Sequence, residues 1–409
     1  MLALIAIVVT LAAVFSLISS RWLRLPSSIG TMLLTVLLSA GLVITGNAFP
    51  RIHAWAIHSL LRIDYEQFIL HGLLSLLLFA GAFLLDLTYL AREKFAVGLL
   101  AALGTVLSTA IIGVGMFFAA PLLGFHPPLL EALLFGALIS PTDPIAILEM
   151  LRRVAAPGYL QAQLAGESLF NDGIGAVLFL TLLGIAEQDR LPSIGHVTWV
   201  LLLDAGGGLL LGTVLALVVS RVMCSVCGYQ IDILLTLSLA LGGYALADHL
   251  HLSAPLEAVA AGLVLRWSNS RHPANISHNE IEHFWTAIDE VQNSILFVLM
   301  GCEFLAVPFT GAALLVGSLA IALVNAARFF AAGAVLSLVQ LLQRGHRSSL
   351  MVLVWGGLRG GLSIALALSV PERLGRDWIL AATYIVVVFS ILIQGGTMDL
   401  FLKRFRLAE

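Results

Sequence analysis

Three short stretches set polar and ionisable side chains inside apolar sequence. In "GESLFNDG", Gly166 to Gly173, the residues Ser168, Asn171 and Asp172 fall at i, i+3 and i+4 and share one helical face. Glu167 lies beside them, about 100° round the helix. In "SPTDPIAI", Ser140 to Ile147, Thr142 and Asp143 stand between Pro141 and Pro144. In "WGGLRGGLSIALALS", Arg359 is set among glycines. Two carboxylates this close on one apolar helix cannot both face lipid. Groups of this kind mark an ion or proton pathway, or they hold helices together. Enzyme chemistry finds less support: there is no HExxH pair, and GESLF is not a GxSxG nucleophile elbow. Cys224 and Cys227 form a CxxC with no second Cys or His pair, and read as small residues at a helix end.

The elements that must position these groups are membrane helices. The chain has 409 residues, 60% hydrophobic and only 11% charged, with mean hydropathy +1.02. A soluble domain carries about 25% charged residues, so this composition excludes one. Apolar runs of membrane-crossing length recur at about 1–20, 27–46, 68–88, 96–122, 128–150, 161–186, 196–222, 231–249, 253–267, 284–307, 310–342, 348–370 and 378–401. An all-α polytopic protein of about thirteen spans is expected; the ninth run is short and the eleventh long, so twelve is the competing count. The first run lacks the basic n-region and cleavage site of a signal peptide and reads as a retained span. No soluble domain is expected. The polar stretch Ser268–Glu282, with its "NIS", reads as a loop.

Basic residues test that count. Alternate loops carry Arg21, Arg24, Arg92, Lys94, Arg152, Arg153, Arg221, Arg266, Arg271, Arg344, Arg347, Lys403, Arg404 and Arg406, fourteen in all. The opposite loops carry five: Arg51, Arg62, Arg190, Arg373 and Arg376. The richer set belongs in the cytoplasm, which places the N-terminus outside and the C-terminus inside a cell membrane.

Two spans should be broken. Pro144 has no N–H, and each proline pushes its predecessor out of the helical region, so the fifth span cannot run straight through Thr142 and Asp143. Irregular backbone in a bilayer is tolerable only where it is buried in protein or lines a wet cavity. Arg359 in the twelfth span needs a carboxylate or water, and its glycines let neighbouring backbones come close. Interrupted spans at corresponding places in two halves point to a secondary transporter of inverted repeats, with its site at the midplane.

The order "SPTDPIA", "GESLFNDG", "GLRGGLSIALA" resembles the bacterial NhaP-type sodium/proton antiporters and, more distantly, the eukaryotic sodium/proton exchangers. The resemblance spans essentially the whole chain. It implies inverted repeats with broken crossing helices and a homodimer. Core helices would lie at about 68–186 and 284–401, and dimerisation helices at about 1–46 and 196–267. Carried over by motif position, Asp172 would bind either cation or proton, with Asn171 its neighbour. Ser168, the Thr142 backbone and Asp143 would complete the site for sodium, and Glu167 would pair with Arg359 as a structural bridge. One departure stands out: many relatives carry an acid in the third span where this chain has Ala80, and the nearest acid here is Asp86, expected at a helix end.

Other polar residues within spans are Asp204, Glu257, Asp289, Glu290, Asn293, Glu303 and Asn325. They read as structural, and Arg328 needs an acid from another span. His249 and His251 flank a turn and read as polar loop residues. A cation channel would need a ring of carbonyls or charges, and none is visible. The expected function is therefore exchange of a monovalent cation for a proton by alternating access. A potassium/proton antiporter of the same fold is the alternative, and a channel the more remote one. No cofactor is expected beyond the transported ions, and the partners expected are lipid and a second copy, with no nucleic acid. Because Asn171 cannot ionise, Glu167 would be held by arginine, and Asp143 is taken to hold water and stay charged, one carboxylate titrates per cycle and the exchange is expected to be electroneutral.

Overall fold

The computed structural model describes residues 2–23, 25–45, 72–153, 156–187, 194–225, 228–271, 278–305, 307, 310–342 and 350–404, nearly all of them helical. Cys227, the Asn275-Ile276-Ser277 triplet, and Arg24, Arg51, Arg62, Arg190, Arg344, Arg347 and Arg406 lie outside them. Helices α1 (Leu2–Ile18) and α2 (Ser27–Ile44) are followed by the short α3 (Leu74–Leu84) and the long α4 (Leu87–Leu123). Next come α5 (Leu129–Ile139) and α6 (Ile145–Arg153), the two halves of the fifth expected span, and α7 (Gly158–Glu187). Then follow α8 (Ile194–Ser225), α9 (Tyr229–His249), α10 (Ala254–Ser270), α11 (His278–Cys302) and α12 (Gly311–Leu342). The twelfth expected span is likewise divided, into α13 (Leu350–Trp355) and α14 (Gly361–Leu368). Last come α15 (Arg376–Phe389), a π-helical turn Ser390–Gly395, and α16 (Gly396–Arg404). Eight of the described helical stretches are long and apolar enough to cross a membrane.

These helices turn apolar side chains outward as well as inward. Leu202, Leu210 and Val218 on α8 are all more than half exposed, which suits a chain whose solvent is hydrocarbon. Inside, packing gathers into two apolar clusters. One joins α1 and α2 to the broken helices, α7, α11, α12 and α15. The other joins α3, α8, α9 and α10 with Ile281 and Trp285 of α11 and Leu169 of α7. Helix α5 sits hard against α4: a Cβ on Gly136 would lie 3.1 Å from the backbone nitrogen of Gly113. Small residues at such seams let membrane helices approach closely enough for van der Waals contact to hold them.

Two boundaries differ from the hydropathy reading. Helix α4 starts at Leu87, nine residues before its apolar run. Its first turns carry the exposed Arg92 and Lys94, whose stems can lie along apolar surface while their heads reach water. Asp86 caps it, accepting from the backbone N–H of Thr88 at 2.8 Å and of Tyr89 at 3.4 Å, which is the helix-end role expected of it. Helix α11 also starts early, at His278. There Glu282 bridges to Arg266 of α10 at 2.9 Å.

Candidate functional site

The site forms where the two interrupted helices cross. With prolines at 141 and 144 the backbone between α5 and α6 is extended. The Asp143 N–H donates to the Leu358 carbonyl at 2.8 Å, an isolated antiparallel bridge between the two breaks. Asp143 then turns its own carboxylate back on the chain, Oδ1 accepting from the Ile145 N–H at 2.9 Å and so starting α6. The approach demands glycine at 360, since a Cβ there would lie 2.7 Å from Cγ of Asp143. Irregular backbone at this depth is thus satisfied by its counterpart across the crossing, the condition a bilayer imposes.

Helix α7 holds the first break in place. Asn171 accepts from the Thr142 N–H through Oδ1 at 3.2 Å and donates through Nδ2 to Thr142 Oγ1 at 2.8 Å. Thr142 Oγ1 also lies 2.9 Å from Ser168 Oγ. All three residues are buried. The i, i+3, i+4 face therefore does meet the broken span. Asn171 serves there as a clamp, both ends of its amide engaged by Thr142. Asp172, next along the face, is partly exposed to a cavity of about 910 Å³ that Asp143, Thr142, Gly360 and Ser363 also line. Its charged neighbours are Asp143 and Arg359.

The expected pairing of Glu167 with Arg359 is corrected by the structure. Glu167 is paired with Arg328 of α12: Arg328 Nη1 donates to Oε1 and Nη2 to Oε2, the latter at 2.9 Å. Arg328 Nε and Nη2 also reach the Leu353 carbonyl, at 3.2 and 3.1 Å, near the end of α13. Arg359 instead donates through Nη1 to the carbonyls of Ser140 and Pro141, the latter at 2.8 Å, at the end of α5. The reason is geometric. Arg359 sits on the extended segment bridged to Asp143, so its side chain runs along the neighbouring break, whereas α12 passes Glu167 directly. Each guanidinium thus meets the carbonyl end of a half-helix, where the helix dipole favours positive charge. Arg328 needs an acid from another span, and Glu167 is that acid.

The remaining intramembrane polar residues fall into two groups. Asp289, Glu290 and Asn293 of α11 line the cavity, as does Glu149 of α6, whose Oε1 accepts from the Ser27 N–H of α2 at 3.1 Å. Away from it, Glu257 is fully buried with neither carboxylate oxygen hydrogen-bonded, among the described residues. Ala80 is buried in the second cluster, and α3 turns Leu77, Leu78 and Gly81 to the cavity. Sequence reasoning missed Ser390 and Gln394. They are uncharged, and their signal was only an i, i+4 polar pair in an apolar run.

Residues 7–404 match the family model for the sodium/hydrogen exchanger transmembrane region. The chain is 38% identical to the Na(+)/H(+) antiporter NhaP of Pseudomonas aeruginosa, over 99% of this chain and 97% of that one. It is 32% identical to the Na(+)/H(+) antiporter NhaH of Halobacillus aidingensis, over 100% and 97%. Among solved structures it is similar to the sodium proton antiporter MjNhaP1 of Methanocaldococcus jannaschii, with TM-score 0.75 at 21% identity, covering 99% of this chain and 98% of that one.

Proposed function

The chain belongs to the sodium/hydrogen exchanger family, and from that premise we propose that it is a sodium/proton antiporter in which Asp172 binds proton and sodium alternately. The observation that carries this reading is that Asp172 and Asp143 line one cavity at the crossing of two broken helices. A low-dielectric site favours a protonated carboxyl, whereas a bound cation favours the ionised form, so the two substrates compete for one group. Ser168 and the Thr142 backbone, adjoining Asp172, complete the cation site, while Asn171 holds Thr142 in position. Alternation of access between the two sides then exchanges one ion for the other.

The cavity bears on the state of the transporter. Its lining includes Ser27 and Leu85 at helix ends, and Glu149 and Glu282 about a turn inside theirs, all on the side of the arginine- and lysine-rich set. With that set cytoplasmic, the site is open to the cytoplasm, the N-terminus is outside, and the chain crosses an inner membrane about thirteen times. The crossing helices would move as the core, against a dimerisation domain through which two copies associate.

The test is Asp172→Asn in proteoliposomes. The amide keeps the shape and some hydrogen bonding but cannot take up and release a proton. Sodium uptake driven by a pH gradient should fall to the level of empty vesicles while the protein still elutes as a folded species. Uptake near the wild-type rate would overturn the assignment.

A further inference from the structure

Behind Arg359 a hydrogen-bonded chain runs in one direction from the second break through the π-helical turn to α12. The Arg359 N–H donates to Ser390 Oγ at 3.0 Å, and the Ser390 hydroxyl donates to Gln394 Oε1 at 2.7 Å. Gln394 Nε2 donates to Asn325 Oδ1 at 2.7 Å, and Asn325 Nδ2 to the Ile321 carbonyl at 2.9 Å. Every group uses one donor and one acceptor, so reversing any amide would set donor against donor or acceptor against acceptor. Such chains polarise along their length in a low-dielectric interior. Ser390 and Gln394 are buried, on the π-helical turn that follows α15. Local π-helical widening is frequent where a helix serves a site.

The other end of the chain explains its place. Asn325 and Arg328 sit three residues apart on one face of α12. Arg328 fastens the Leu353 carbonyl of α13, before the second break, and Asn325 fastens the Arg359 N–H after it, through Gln394 and Ser390. Between those points the backbone has little regular support: the Gly356 N–H reaches Val352 and the Leu358 N–H reaches Gly356. The Leu358 carbonyl in turn receives the Asp143 N–H, and the Arg359 side chain holds the Ser140 and Pro141 carbonyls. The height and tilt of the break therefore set where Asp143 and Thr142 stand relative to Asp172.

We infer that Asn325, Gln394 and Ser390 are positioning residues for the cation site, holding the second helix break in register with the first. The inference rests on the antiport reading above and adds residues to it. None of the three touches the ion; they act through Arg359 and Leu358. Partners at one remove from a bound metal typically alter its affinity by about 10- to 100-fold, and these residues, a step further out, should act at the lower end of that range.

The test compares Ser390→Val with Ser390→Thr, two side chains of one shape that differ in the hydroxyl. Any crowding by the added methyl is common to both. In proteoliposomes the valine variant should show an apparent KM for sodium roughly tenfold above the threonine variant, with maximal rates within about twofold and a melting temperature lower by no more than about 3 °C. Gln394→Met should raise KM similarly, and combining it with Ser390→Val should add little, because the chain is already cut. Equal KM values for the valine and threonine variants, or an unchanged KM in Gln394→Met, would overturn the inference while leaving the antiport reading intact. Absence of sodium-driven proton movement in the wild type would sink that reading, and the inference with it.

Discussion

The exchange of partners at Glu167 can be measured. Arg328→Met removes the guanidinium that binds Glu167 bidentately and leaves a 1%-exposed carboxylate without its cation. Stranding a buried charge costs about 3–5 kcal/mol. The Leu353 carbonyl loses two donors as well, which adds to the cost. Unfolding entropy near the midpoint is about 2.1 cal/mol/K per residue, roughly 0.9 kcal/mol/K for this chain, so the melting temperature should fall by about 3–6 °C. Glu167→Gln in the same background removes the stranded charge and should return part of that loss. The coupling between the two substitutions should reach about 2 kcal/mol, within the range seen for residues in contact. The same cycle with Arg359→Met in place of Arg328→Met should give a clearly smaller coupling, because Arg359 binds carbonyls of the other broken helix. The assay is thermal unfolding of detergent-solubilised protein followed by size-exclusion chromatography, at one heating rate throughout. A coupling of Glu167 to Arg359 that equals or exceeds its coupling to Arg328 would refute the reasoning.

Gly360→Ala sets a methyl against Asp143, 2.7 Å from its Cγ, and overpacking of this kind costs about 1–3 kcal/mol. Placed on the cation site, that amounts to roughly a 5- to 150-fold rise in apparent KM for sodium; an unchanged KM would show that the crossing tolerates what the geometry forbids. Exchange should also be indifferent to membrane potential. Clamping vesicles at zero and at about −100 mV should leave the equilibrium sodium gradient unchanged, whereas one net charge per cycle would shift it about fiftyfold, from about 2.3 kcal/mol per 100 mV. A shift of that size would mean that a second proton moves, with Asp143 the first suspect.

The features a bilayer imposes were the ones legible in the sequence. Apolar runs announced the helices because no other solvent tolerates them, and Pro141 and Pro144 announced a break because no helix accommodates both. The i, i+3, i+4 spacing of Ser168, Asn171 and Asp172 announced a shared face, and that face does meet Thr142. Partner choice was not legible. Two intramembrane arginines stood available to Glu167, and sequence separation says nothing about which helix passes it. Deciding between them needs the angle at which α12 crosses α7. Ser390 and Gln394 escaped notice for another reason. Neutral polar residues are tolerated in spans at modest energy, so they carry no alarm until their partners are seen.

The two arginines and the cavity divide the electrostatics of the molecule. Arg328 and Arg359 are each bound to half-helix carbonyls, and no Lys, Arg or His is among the described residues lining the cavity. The charged groups that do face it are carboxylates, among them Asp143, Asp172, Glu149 and Asp289. Positive charge is thus placed in the frame and negative charge in the space the ion would enter. A cation entering there would compete with a proton for Asp172, while Arg359, the charged neighbour of that carboxylate, stays bound to the Ser140 and Pro141 carbonyls. A substitution that alters the frame without altering its charge, such as Ser390→Val, should therefore change how well the ion is held while leaving the stoichiometry untouched. A substitution that adds a titrating carboxyl at the site, such as Asn171→Asp, should change the stoichiometry itself.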